Sequence, residues 1–250
     1  MLKCADPHDT DTRVFTSADR TFIQRVTGTS LDWCKWNLLD EINAGYHNDI
    51  FPSKSFEKLF VENCGVFCMY KEAGRRTVLD MFLRDVLNRE EFGSALRVFT
   101  EYEFCITSME DSRLIRISGK ADYTIGHSAG KDIFDREPSK ELHLIAAEAK
   151  RDWPDESYWQ CIAQTAALHK SRKQAGKQKC QTWGILSHAT NWKFLFIDET
   201  GQLSTSEDFK LDLRSYNEKQ VLAVYRAIYS IVKSCYEASP PSTPEKKHRS

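Results

Sequence analysis

The sequence predicts a mixed α/β sandwich, and three observations carry that expectation. Residues 96–109, LRVFTEYEFCITSM, are aromatic and β-branched with near alternation, as in a half-buried strand. Just before them, Val78, Leu79, Phe82, Leu83, Val86 and Leu87 make one apolar stripe at helical spacing. The whole order reads helix, three strands, helix, two strands, helix, which is not a regular βαβ alternation.

The elements follow along the chain. The first fifty residues are polar and mixed. Trp33 and Trp36 flank Cys34 and precede Leu38, Leu39 and Ile42, a spacing that suits a short amphipathic helix. Pro52-Ser53 reads as a break, and Ser53 or Ser55 can cap a helix on which Phe56, Leu59, Phe60 and Cys64 recur. The striped helix covers 72–89. After the strand at 96–109, polar residues 110–113 lead into a second strand at 114–125, LIRISGKADYTI. Residues 127–140, rich in Gly, Ser, Asp and Pro, read as a loop, and 142–150, LHLIAAEAK, as the third strand. Helical spacing returns at 155–174, with Trp159, Ile162, Ala163, Ala166 and Ala167 on the packing side and Gly176 as terminator. Two strands at 181–187 and 192–198 flank a turn, and 217–237 is a last amphipathic helix. From Ser239 the composition is that of a disordered tail. The division is a partly helical N-terminal extension at 1–53, a domain at 54–238 and a tail at 239–250.

A chain of 250 residues is long enough for one full hydrophobic core, and 41% apolar residues is ordinary for a globular protein. No apolar run reaches the length of a membrane span, and residues 1–20 lack the apolar core of a signal peptide. The expectation is an intracellular protein, nuclear or cytoplasmic, with no membrane partner. The eight cysteines include no zinc-type C-x2-C pair; Cys64 and Cys68 come nearest. Net charge is −1, yet residues 157–197 contain no Asp or Glu. Lys170, Arg172, Lys173, Lys177 and Lys179 fall in that stretch and form the candidate nucleic-acid-binding surface. The alternative is a solvated helix end complementing the helix dipole.

The chemistry concentrates at the tip of the third strand. Glu148 and Lys150 are two positions apart and so point the same way, and charges ending an apolar strand are costly unless used. Upstream, Gly119-Lys120-Ala121-Asp122-Tyr123 brings a second carboxylate to a strand. An acidic-x-Lys triplet alone says little: Asp208-Phe209-Lys210 and Glu245-Lys246-Lys247 are two more. Only Glu148-Ala149-Lys150 sits in apolar sequence, after a strand bearing Asp and before a helix. A surface ion pair at a strand end is the bland alternative.

Asp122 and Glu148 are the expected anionic ligands of Mg²⁺ or Mn²⁺, hard cations that take oxygen donors, with the Ala149 backbone carbonyl as a further ligand. Lys150 is expected to hold the attacking water and offset charge on a phosphorane. Its pKa should be depressed by a nearby metal.

The pattern ISGKADYTIG, HLIAAEAK and a following Gln-bearing helix resembles the PD-(D/E)xK, or restriction-endonuclease-like, superfamily over roughly residues 72–198. The resemblance implies an αβββαβ core with a central mixed sheet flanked by helices. It also implies Mg²⁺-dependent cleavage of nucleic acid, DNA rather than RNA. A helix Gln near the active site is expected from it, with Gln164 preferred over Gln160. Glu72 is the positional match for an added acidic ligand from the first core helix. TWGILSHATNWKFLFID further resembles eukaryotic effector-like nuclease domains of crinkler type. Ala121-Asp122 stands where the family name has Pro-Asp. A catalytically silent nucleic-acid- or protein-binding domain, or a host-directed effector, is the alternative.

Overall fold

The structure, a computed structural model, describes residues 10–111, 113–127, 142–150 and 155–238. Among these residues nine strands form one mixed sheet: β1 (Thr10–Val14), β2 (Ser30–Trp36), β3 (Leu96–Glu110), β4 (Arg113–His127), β5 (His143–Ala149), β6 (Thr182–Ser187), β7 (Asn191–Ile197), β8 (Gln202–Ser206) and β9 (Phe209–Lys210). The helices are α1 (Arg20–Thr27), α2 (Leu38–Asn43), α3 (Phe56–Val66), α4 (Glu72–Leu87), α5 (Asp155–Gln174) and α6 (Glu218–Ala238). The strand order is β1-β4-β5-β6-β7-β8-β2, with β3 also on β4 and β9 also on β7.

Strand alternation splits the core into two layers. On one face Ile145 and Ala147 of β5 join Val78 and Phe82 of α4 and Val224 and Ile228 of α6. On the other, Ala146 joins Phe22 and Ile23 of α1 and Ile162, Ala163 and Ala166 of α5. Every residue of β5 is buried, as a central strand covered on both faces requires. Close helix–sheet packing needs Gly184: a Cβ there would lie 2.5 Å from Thr165 Oγ1 of α5.

The mixed α/β class is borne out, and β3, β4, β5, α4, α5, β6, β7 and α6 fall within a few residues of their expected ranges. The N-terminal segment differs from expectation. Residues 30–36 form β2, paired in parallel with β8, and helix begins only at Leu38. β1 pairs in parallel with β4, so strands of the segment 1–53 are stitched into the sheet. Both lie at the ends of the strand order, where charged residues are tolerated and the apolar alternation that marks a central strand is weak. β8, flanked by β7 and β2, and β9 are only five and two residues long, too short to show an apolar pattern of their own. Ser55 makes no side-chain cap bond to α3, and Ser53 donates to Asp85 instead. Of the loop expected at 127–140, His127 is instead the last residue of β4; the rest of it and the tail lie outside the described residues. Among the described residues, no helix is long and apolar enough to cross a membrane.

Candidate active site

The site lies where β4 changes partners. Residues 114–118 of β4 pair with β1, whereas β5 pairs with it only from Tyr123 onward. Gly119 makes the departure with φ 152°, and a Cβ there would meet Phe15 Cδ2 at 2.8 Å. On the opposite edge the β3–β4 register skips Glu101 and Asp122, and Glu101 has φ 51°. Regular ladders therefore fail on both sides of Asp122, and the freed backbone groups need partners.

Side chains supply them. Ala149 N–H donates to Asp122 Oδ2 at 2.9 Å. Asp122 N–H reaches Glu148 Oε2 at 3.4 Å, and Gln164 Nε2 donates to the Lys120 carbonyl at 3.0 Å. Asp122 and Glu148, 26 residues apart in the chain, are thereby joined through the backbone N–H groups of Asp122 and Ala149.

Glu148 is 1% exposed and fully engaged. Its Oε1 accepts from Gln160 Nε2 at 2.7 Å and pairs with Lys150 Nζ; its Oε2 accepts from Gln164 Nε2 at 2.9 Å. Gln160 and Gln164, four residues apart on α5, share a face and grip one carboxylate. Lys150 is anchored by its own N–H to the Ser187 carbonyl at the end of β6, at 2.8 Å. On the other layer, Arg76 of α4 donates through Nη2 to Asp122 Oδ1 and to Glu72 Oε1, the latter at 3.1 Å. The carboxylate pair thus touches α5 through Glu148 and α4 through Asp122.

Electrostatics follow from burial. The Glu148 pKa is raised by desolvation and then by Asp122, against Lys150 and Gln164. Asp122 is also raised, by desolvation, against the Ala149 N–H and the charges of Arg76 and Lys150. For Lys150, burial works to lower the pKa, but Glu148, Asp122 and Glu72 outweigh it and raise it. That is opposite in sign to the depression expected beside a metal, because the neighbours acting here are carboxylates. A buried carboxylate and a half-buried one, both resisting ionisation, form a place where added positive charge is favourable.

The structure brings Asp122, Glu148, Ala149, Lys150 and Gln164 together, as the sequence implies, and adds Gln160 on equal terms. Ala149 enters through its N–H. Glu72 is held by Arg76, and among the described residues no group of three or more His, Cys, Asp or Glu side chains gathers where one ion would sit. Its role as a metal ligand therefore finds no support in the geometry. Arg76 was not anticipated: it lies 46 residues from Asp122, and its only local signal is the four-residue spacing from Glu72.

The basic segment needs correction. Arg172 is fully buried, donating to the Lys179 carbonyl at 2.6 Å, so it is a structural brace and not part of a surface for a polyanion. Lys173, Lys177 and Lys179 are exposed and Lys170 is half-buried. They do not adjoin the carboxylates. Lys173 lies nine residues past Gln164, about 13 Å farther along α5 at the helical rise per residue.

No protein-family model matches the sequence, and no curated protein matches it.

Proposed function

We propose that the protein is a metal-dependent nuclease that hydrolyses phosphodiester bonds of DNA at Asp122, Glu148 and Lys150. The observation that carries this reading is the joining of Asp122 and Glu148 at the end of the β4–β5 ladder, with the Lys150 ammonium on the same strand tip. The freed N–H groups of Asp122 and Ala149 need acceptors, but neutral amide or hydroxyl oxygens would serve; two carboxylates pushed toward protonation by desolvation are more than the sheet requires.

The donor set fits a hard divalent cation. Mg²⁺ characteristically takes one or two protein carboxylates and leaves its remaining positions to water and substrate phosphate. Asp122 and Glu148 would hold it, with the Ala149 carbonyl beside them. Bound there, the ion would screen the phosphate, lower the pKa of water and neutralise the departing oxygen. The chain's own residues do the rest. Gln160 and Gln164 fix the Glu148 carboxylate in one orientation. Lys150, 20% exposed at the side chain, can reach a phosphate oxygen while remaining tied to Glu148. The exposed Lys173, Lys177 and Lys179 would contact a long polyanion at a distance from the cut.

One observation favours a second reading, a nucleic-acid-binding domain that does not cut. Both oxygens of Asp122 and both of Glu148 already accept from protein donors. Incubating the protein with Mg²⁺ and double-stranded DNA, single-stranded DNA or RNA separates the two. Cleavage that disappears in Asp122→Ala and Glu148→Ala and is strongly slowed in Lys150→Ala, with folding intact, supports the nuclease. Undiminished cleavage by any one of them overturns the assignment.

A further inference from the structure

Arg76 occupies the oxygen a divalent cation would need. Its Nη2 is shared between Asp122 Oδ1 and Glu72 Oε1, so one guanidinium sits between a half-buried carboxylate and a more exposed one. The Asp122 side chain is 11% exposed, that of Glu72 40% and that of Arg76 29%. Arg76 Nε is buried and finds no acceptor among the described residues. A buried donor left without an acceptor calls for an explanation, and it marks this arrangement as one that gives up part of its hydrogen bonding. Glu72 and Arg76 are one turn apart on α4, so the contact with Glu72 persists if the contact with Asp122 is released.

We propose that Arg76 is a positioning residue that guards Asp122, and that Glu72 is the acceptor to which it withdraws when a divalent cation binds. The inference rests on the cation-site reading above and deepens it. In the free protein the guanidinium neutralises Asp122 and holds α4 against the strand tip. Cation binding at Asp122 and Glu148 places two positive groups on one carboxylate, and the arginine shifts onto Glu72. Glu72 then assists binding without touching the ion.

A double-mutant cycle read by calorimetric titration of Mn²⁺ tests this without requiring cleavage. Arg76→Gln should bind Mn²⁺ about tenfold more tightly, the factor by which an opposite charge at this range shifts a carboxylate's proton affinity. Glu72→Gln should bind more weakly, because Arg76 loses its alternative acceptor. The double variant should match Arg76→Gln, since without the arginine there is nothing for Glu72 to receive. If Glu72 were a ligand, or acted only as a distant charge, its loss would weaken binding equally in either background, and the proposal would be overturned. An Arg76→Gln affinity equal to that of the wild type overturns it as well, while leaving the cation site standing. Absence of Mn²⁺ binding in all four proteins overturns both readings. Arg76→Met, which keeps the hydrocarbon stem, replaces Arg76→Gln if the latter melts out.

Discussion

Two acidic-x-Lys triplets of this chain lie in the same sheet and differ in what surrounds their carboxylates. Glu148-Ala149-Lys150 ends a strand buried on both faces, with Glu148 gripped by two amides and an ammonium. Asp208-Phe209-Lys210 lies at the two-residue strand β9, where Asp208 is 44% exposed at its side chain and pairs with Lys193 at 3.0 Å. The middle residue is buried in both, Ala149 at 1% and Phe209 at 1%, so alternation alone does not separate them. The neighbourhood separates them. Beside Glu148 the β4 ladder opens and a second carboxylate fills the gap, whereas Asp208 meets one lysine in solvent.

That contrast can be broken or sharpened by mutation. The largest effect is expected for cleavage: Glu148→Ala should reduce it to background, and Lys150→Ala should slow it about 10²- to 10³-fold, the range for losing one preorganised electrostatic contact to the transition state. Asp208→Ala and Lys210→Ala should leave it unchanged in the same assay. Gln160→Ala and Gln164→Ala should each lower cation affinity or activity about 10- to 100-fold, as removal of groups that orient a ligand does. Equal losses would show that the two amides share the load that the hydrogen bonds suggest.

A pH titration of stability gives the next effect. The folded Glu148 pKa is raised above the ordinary glutamate value of 4.5, by burial first and Asp122 second. Between those two values the folded state binds more protons than the unfolded one, so stability falls as pH rises. The contribution is fully present below 4.5 and lost as pH climbs through the raised value. Glu148→Gln, neutral at every pH, should therefore gain on the wild type in denaturant melts as pH increases; a difference independent of pH would contradict a strained carboxylate. Arg172→Ala should destabilise by about 1–3 kcal/mol, since it removes a fully buried side chain together with its hydrogen bond to the Lys179 carbonyl. Its DNA affinity should stay near wild type, whereas Lys173→Gln and Lys177→Gln should weaken binding and its salt dependence. The smallest effect belongs to Asp208→Asn, about 0–1 kcal/mol for an exposed ion pair.

Much of this was legible in sequence because it is written in local periodicity. The apolar stripe of α4, the alternation of β3 and the continuous apolar run of β5 place each element within a few residues. Residues two or four positions apart on one element, Glu148 with Lys150 and Gln160 with Gln164, declare their shared face before any tertiary contact is known. β1, β2, β8 and β9 were not legible as strands, because short or edge strands are held by backbone bonds to partners far along the chain and need little apolar pattern of their own. The basic run after Gln164 was legible as charge but misleading as location, because nine positions along a helix separate two residues by about 13 Å.

The sequence by itself determined the mixed α/β class, the central strands and the helices packed on them, and the two carboxylates with their lysine and glutamines. It did so because side-chain periodicity and burial cost act over a few residues. Tertiary structure alone decided that β4 abandons β1 before it meets β5, and that Asp122 and Glu148 bridge the break through backbone N–H groups. It also decided that Arg76 rather than Glu72 touches the pair and that Arg172 is buried. Those outcomes depend on which ladder and which helix face a residue meets across many tens of residues, where a charge acts on its spatial neighbours and not on its neighbours in the chain.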